Sequence, residues 1–77
     1  IVMYPNPAQE VVYLSNPQGV DLDRVEILDV AGRLIATHNL QGMGSERALD
    51  ISNLASATYT VVIYSGEARI SKQLLRE

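Results

Sequence analysis

Clusters of chain-breaking residues set the limits on what this chain can fold into. Pro5-Asn6-Pro7 interrupts the first segment and Ser15-Asn16-Pro17-Gln18-Gly19 ends the second. Ala31-Gly32 divides the third from the fourth, Gly42-Met43-Gly44-Ser45 follows, and Ser65-Gly66-Glu67 comes last. Proline fixes its own φ and restricts the residue before it, while glycine supplies positive φ, so each cluster is a mechanistic stop. Little room is left for a helix. The one ambiguous stretch, Ile51-Ser52-Asn53-Leu54-Ala55-Ser56, has the makings of a single helical turn.

Between the stops the hydrophobic period is two rather than 3.6. Val25 and Ile27 alternate with Arg24 and Glu26, and Tyr59, Val61 and Ile63 alternate with Thr60, Val62 and Tyr64. Ile70 and Leu74 share a face near the end and are expected in the core. The residue types are β-branched and aromatic, as strands prefer. Strands are predicted near 1–4, 10–15, 23–29, 33–39, 46–51, 57–65 and 67–75. Seven short strands with turns at this spacing predict an all-β fold, a seven-stranded antiparallel immunoglobulin-like β-sandwich.

The chain has 77 residues, enough for one domain over 1–77. A domain of this size has a stability on the order of 3–5 kcal/mol. It contains no cysteine, so neither a disulfide framework nor a thiolate metal site is available. The formal net charge is −3, against the basic excess of a nucleic-acid binder. No apolar run approaches the roughly 20 residues of a membrane-spanning helix, and no direct membrane insertion is expected. Ile1 stands where an initiator Met would, and the chain reads as a domain excised from a larger protein.

Catalytic patterns are missing. His38 has no second histidine or cysteine to share a metal, and no serine lies in G-x-S-x-G. Asp21, Asp23, Glu26 and Asp29 lack the glycine and closing glutamate of a calcium loop. Asp29 has a structural use instead. In Asp29-Val30-Ala31-Gly32-Arg33 its carboxylate can accept N–H bonds from residues further on, with Gly32 left-handed before the next strand. Core and rim packing accounts for Tyr4, Tyr13, Tyr59 and Tyr64. A glycan-binding face would need them clustered on one sheet.

Four segments taken in order resemble one family. The chain opens Tyr4-Pro5-Asn6-Pro7-Ala8 and continues Val25-Glu26-Ile27-Leu28-Asp29-Val30-Ala31-Gly32-Arg33. Then comes Leu54-Ala55-Ser56-Ala57-Thr58-Tyr59-Thr60-Val61-Val62-Ile63, and the chain closes Lys72-Gln73-Leu74-Leu75-Arg76. Together these resemble the C-terminal sorting domain of cargo exported by the type IX secretion system of Bacteroidetes-type bacteria, also called the Por secretion system. Two departures stand out. The glycine that the family places before its tyrosine strand is Ala57 here, and Gln73 separates Lys72 from the aliphatic pair Leu74 and Leu75. If the family's glycine marks a positive φ, Ala57→Gly should stabilise by up to about 1 kcal/mol.

The resemblance implies a non-enzymatic address read by others: the type IX translocon, its shuttle proteins and a sortase-like protease that removes the domain. It implies no cofactor, a monomeric or weakly associating domain, and passage through the periplasm to the cell surface or medium. Recognition candidates are Lys72, Leu74, Leu75, Arg76 and Glu77 in the tail and Pro5, Asn6 and Pro7 at the opening. Asp29, Gly32, Arg33, Leu54 and Tyr59 are structural. Arg76 and Glu77 are expected beyond the last core contact, as a free, charged strand end. The rival reading is a glycan-binding or structural β-sandwich appended to a secreted enzyme.

Overall fold

Alternating apolar and polar residues bury one face of a strand, and two such sheets bury their faces against each other. The computed structural model, which describes residues 1–77, has this arrangement. The strands are β1 (Val2–Tyr4), β2 (Val11–Ser15), β3 (Arg24–Leu28), β4 (Leu34–Asn39), β5 (Glu46–Asp50), β6 (Ala57–Ser65) and β7 (Ala68–Arg76). All pairings between these strands are antiparallel. One sheet has the order β1-β2-β5 and the other β4-β3-β6-β7. This is the strand distribution of an immunoglobulin-like sandwich in which a fourth strand joins the C-F-G sheet.

The three-stranded sheet contributes Met3, Val12, Leu14 and Leu49 to the core. The four-stranded sheet contributes Val25, Ile27, Tyr59, Val61, Ile63 and Leu74, and the connections add Ala8, Leu22, Leu40 and Ile51. The register explains the selection. Val25 lies opposite Ile63, Ile27 opposite Val61, and Tyr59 opposite Leu74, so each pair presents two apolar side chains to the same face.

Ile70 departs from expectation. It lies opposite Ile63 on the inner face, yet it is 44% exposed while Leu74 is fully buried. At that end of the sandwich the neighbours are Ile1, Val20 and Leu22 rather than a full strand, and they border an open cleft. The stretch 51–56 also differs: a turn closed by Leu54 N–H on the Ile51 carbonyl (3.0 Å) replaces a helical turn.

Ala57 is the first residue of β6, and only glycines have positive φ in this chain. The position therefore makes no demand for glycine. Gly32 does, with φ 86°, and Gly66 does, with φ 59° at the first position of the two-residue β6–β7 loop.

Candidate recognition surface

The opening motif and the tail, at opposite ends of the sequence, meet in space. β7 is an edge strand, so alternate residues turn their backbone groups away from β6. Asn6 meets two of these groups. Its Nδ2 donates to the Gln73 carbonyl at 2.7 Å, and its Oδ1 accepts the Leu75 N–H at 3.0 Å. A side-chain amide carries one donor side and one acceptor side, so it can bond a strand edge as another strand would. Ala8 continues the contact with its backbone. It donates to the Leu75 carbonyl at 2.8 Å and accepts the Glu77 N–H at 2.9 Å, which makes a parallel bridge with Arg76. Ala8 is almost fully buried. Backbone bonds of this kind leave no pattern in the sequence, and Ala8 had no signal beyond its place in the motif.

The tail is therefore not a free end. Arg76 lies inside β7 opposite Ala57. Its Nε donates to the Ile51 carbonyl at 3.2 Å, and its other guanidinium nitrogens reach the carbonyls of Ser52 (3.5 Å) and Glu77 (2.7 Å). The expectation that Arg76 and Glu77 form a free strand end that adds little to folding fails for this reason. A fixed donor fork suits several carbonyls at once. Leu74 is core, Leu75 is 42% exposed on the outer face, and Lys72 is half-buried on the inner row between Ile70 and Leu74. Pro5, Asn6 and Pro7 are exposed.

The other motif residues form the scaffold. The Asp29 Oδ1 accepts the N–H groups of Ala31 and Arg33, both at 2.9 Å, and its Oδ2 accepts from Arg33 Nε at 2.8 Å. These bonds from Arg33 and Ala31 hold the Asp29 carboxyl below its ordinary pKa. Leu54 packs against the core. Tyr59 is buried and its hydroxyl donates to the Ala55 carbonyl at 2.6 Å, four residues back. The tyrosine corner of immunoglobulin-like domains pins a connection in the same way.

The acidic stretch disperses into separate tasks. The Asp23 carboxylate accepts the Gly66 N–H at 2.7 Å, and Glu26 accepts from Arg24 and from the Tyr64 hydroxyl. No group of three or more His, Cys, Asp or Glu side chains is placed to hold a metal ion. The tyrosines do not gather on one face. Tyr4 and Tyr13 stack on the three-stranded sheet with centroids 5.5 Å apart. Tyr59 is in the core, and Tyr64 lies under Arg24 on the other sheet. The Tyr4 hydroxyl bonds the Glu46 carboxylate, which raises its pKa.

Comparison with known families matches residues 2–77 to the secretion system C-terminal sorting domain. A search of curated proteins and a search of solved structures each found no match. The match spans essentially the whole sandwich, including the Asn6–β7 junction, the Asp29 hairpin and the Tyr59 strand. A sorting domain's work is to be recognised, which requires no catalytic group. The chain belongs to the secretion system C-terminal sorting domain family and is a non-catalytic sorting signal.

Proposed function

We propose that this domain is carried at the C-terminus of a larger cargo and directs it through the type IX translocon. The folded sandwich travels through the periplasm and is read there by the translocon and its shuttle proteins. A sortase-like protease then separates it from the cargo, which is anchored at the surface or released. Every covalent step belongs to the protease. The sandwich contributes a rigid surface, whose geometry lowers the ordering cost of binding.

The observation that carries this reading is the junction itself. Asn6 of the opening motif bonds the backbone of Gln73 and Leu75 in the tail, so both recognition candidates stand on one continuous surface. Pro5 and Pro7 flank the contact, and Leu75 and Glu77 are exposed beside it. A receptor that reads this surface reads fold and sequence together, because the surface exists only when the sandwich is closed.

The test is export of a reporter fused to the domain in a type IX-competent host. Wild-type fusion should reach the medium or surface. Leu75→Ser and Glu77→Lys alter the exposed surface and should leave the fusion folded but retained in the periplasm. Normal export of both folded variants would remove the junction from the recognition surface.

A further inference from the structure

Only part of the β7 edge is closed. Asn6 and Ala8 occupy the outward groups from the Gln73 carbonyl to the Glu77 N–H. The register is regular along β7, so Arg69 and Ser71 turn the same way as Gln73 and Leu75. Neither their backbone groups nor the Gln73 N–H meets a protein partner on that side. An open edge of this kind is a template for one more strand.

Three features specify what that strand carries. Beside the open edge lies a cleft of about 290 Å³ bordered by Ile1, Val20, Leu22, Ile63 and Ile70. Ile70 is 44% exposed there and Val20 43%. A strand added along β7 would set every second side chain on this inner side, where an aliphatic group fits. Arg69 and Lys72 make no ion pair, since the ion pairs of the chain are Arg24–Glu26 and Arg33–Asp29. Arg69 lies opposite Tyr64 on the outer face of β7, so it favours carboxylates among the outward side chains of the added strand.

The geometry points to the β7 edge from Arg69 to Gln73 as a strand-addition site for an extended partner segment that alternates aliphatic and acidic residues. This rests on the sorting reading and gives it a mode of contact: the receptor supplies the strand. Main-chain bonds provide the affinity, while the cleft and Arg69 provide the choice of partner. Asn6 and Ala8 set where the added strand stops.

The site is tested with the 77-residue chain and a blocked octapeptide of alternating Val and Glu, with a Val and Lys octapeptide as control. Ser71→Pro deletes one outward N–H without touching the ladder to β6, a position where an edge strand tolerates proline. Ser71→Ala keeps the N–H. Arg69→Glu reverses the charge on the outer face and leaves the backbone alone. The Val–Glu peptide should slow hydrogen exchange at Arg69, Ser71 and Gln73, and the Val–Lys peptide should not. Ser71→Pro and the charge reversal should each weaken binding about tenfold or more. Absence of protection at millimolar Val–Glu peptide, equal protection by Val–Lys, or unchanged affinity in Ser71→Pro would overturn the assignment. In the export assay, retention of the wild-type fusion would fail the sorting reading itself. Export of wild type, Ser71→Ala and Ser71→Pro alike would fail only the edge.

Discussion

Asn6 and Leu75 are 69 residues apart in sequence, and the Asn6 Oδ1 accepts the Leu75 N–H at 3.0 Å. With the companion bond to the Gln73 carbonyl, one side chain stands in for a residue of a missing strand. The tail's conformation therefore depends on the opening motif.

Asn6→Ala removes both bonds at a solvent-exposed edge, where water can replace part of what is lost. The expected cost is about 1 kcal/mol. For a domain of this size that lowers the melting temperature by about 4–8 °C. Hydrogen exchange at the Leu75 amide should quicken, while the β6-facing amides of β7 keep their protection. Equal acceleration along all of β7 would show global loosening instead of loss of one clamp.

Leu74 and Ile70 give a contrast on the same face of the same strand. Leu74 is fully buried, so Leu74→Ala should cost about 2–5 kcal/mol, close to the whole stability of so small a domain. Ile70 is 44% exposed at the open end, and Ile70→Ala should cost under about 1.5 kcal/mol. Denaturant midpoints of the two variants measure the difference.

Ala57→Gly should destabilise by about 0.5–1 kcal/mol, the cost of glycine's extra backbone freedom within a strand. The sequence comparison with the family's glycine suggested the opposite sign. Ala57 begins β6 opposite Arg76 without positive φ, so glycine gains nothing there. A rise in melting temperature in this variant would contradict the strand assignment at 57.

Local chemistry accounts for what the sequence made legible. Period-two alternation places the seven strands to within a residue or two, because each strand's burial depends on its own side chains. The Asp29–Gly32 hairpin is equally local: a carboxylate, two N–H groups and one positive φ within five residues. Contacts between distant segments were not legible. Nothing in Ile70's neighbours along the chain shows that the opposite sheet stops short of it. Nothing near Arg76 announces the Ile51 and Ser52 carbonyls. Asn6 could be read as part of a turn but not as a clamp on β7.

Asp29 gives the stability a pH dependence of known sign. Bonds from Arg33 and Ala31 hold its folded pKa below the ordinary 3.8. Above pH 3.8 the carboxylate is charged in both states, and its full contribution is present. As pH falls through the lowered folded value the proton goes on, the bonds weaken, and the contribution is lost. The acid side of the wild-type stability curve should therefore fall more steeply than that of Asp29→Ala. Asp50, bonded by Ser52, adds a slope of the same sign. Thermal melts between pH 2 and pH 6 test this, and parallel curves for wild type and Asp29→Ala would refute it.

Arg76 and Lys72 carry the same charge four residues apart on the same row of β7, but they are held differently. Arg76 spreads its guanidinium over the carbonyls of Ile51, Ser52 and Glu77 and so ties the tail to the turn before β6. Lys72 makes no ion pair and is half-buried on the inner row. Arg76→Lys keeps the charge and loses the fork, since an ammonium is a compact point donor that cannot span three separated carbonyls. It should lower the melting temperature by a few degrees, consistent with the loss of about 1 kcal/mol of hydrogen bonding. Lys72→Arg should leave it unchanged. Removing Arg76 and Glu77 together should cost more than Arg76→Lys, because the Glu77 bond to Ala8 and the Ala57 pairing go as well. A truncated domain that melts with wild type would show that neither the Arg76 fork nor the Glu77 bond to Ala8 contributes to folding.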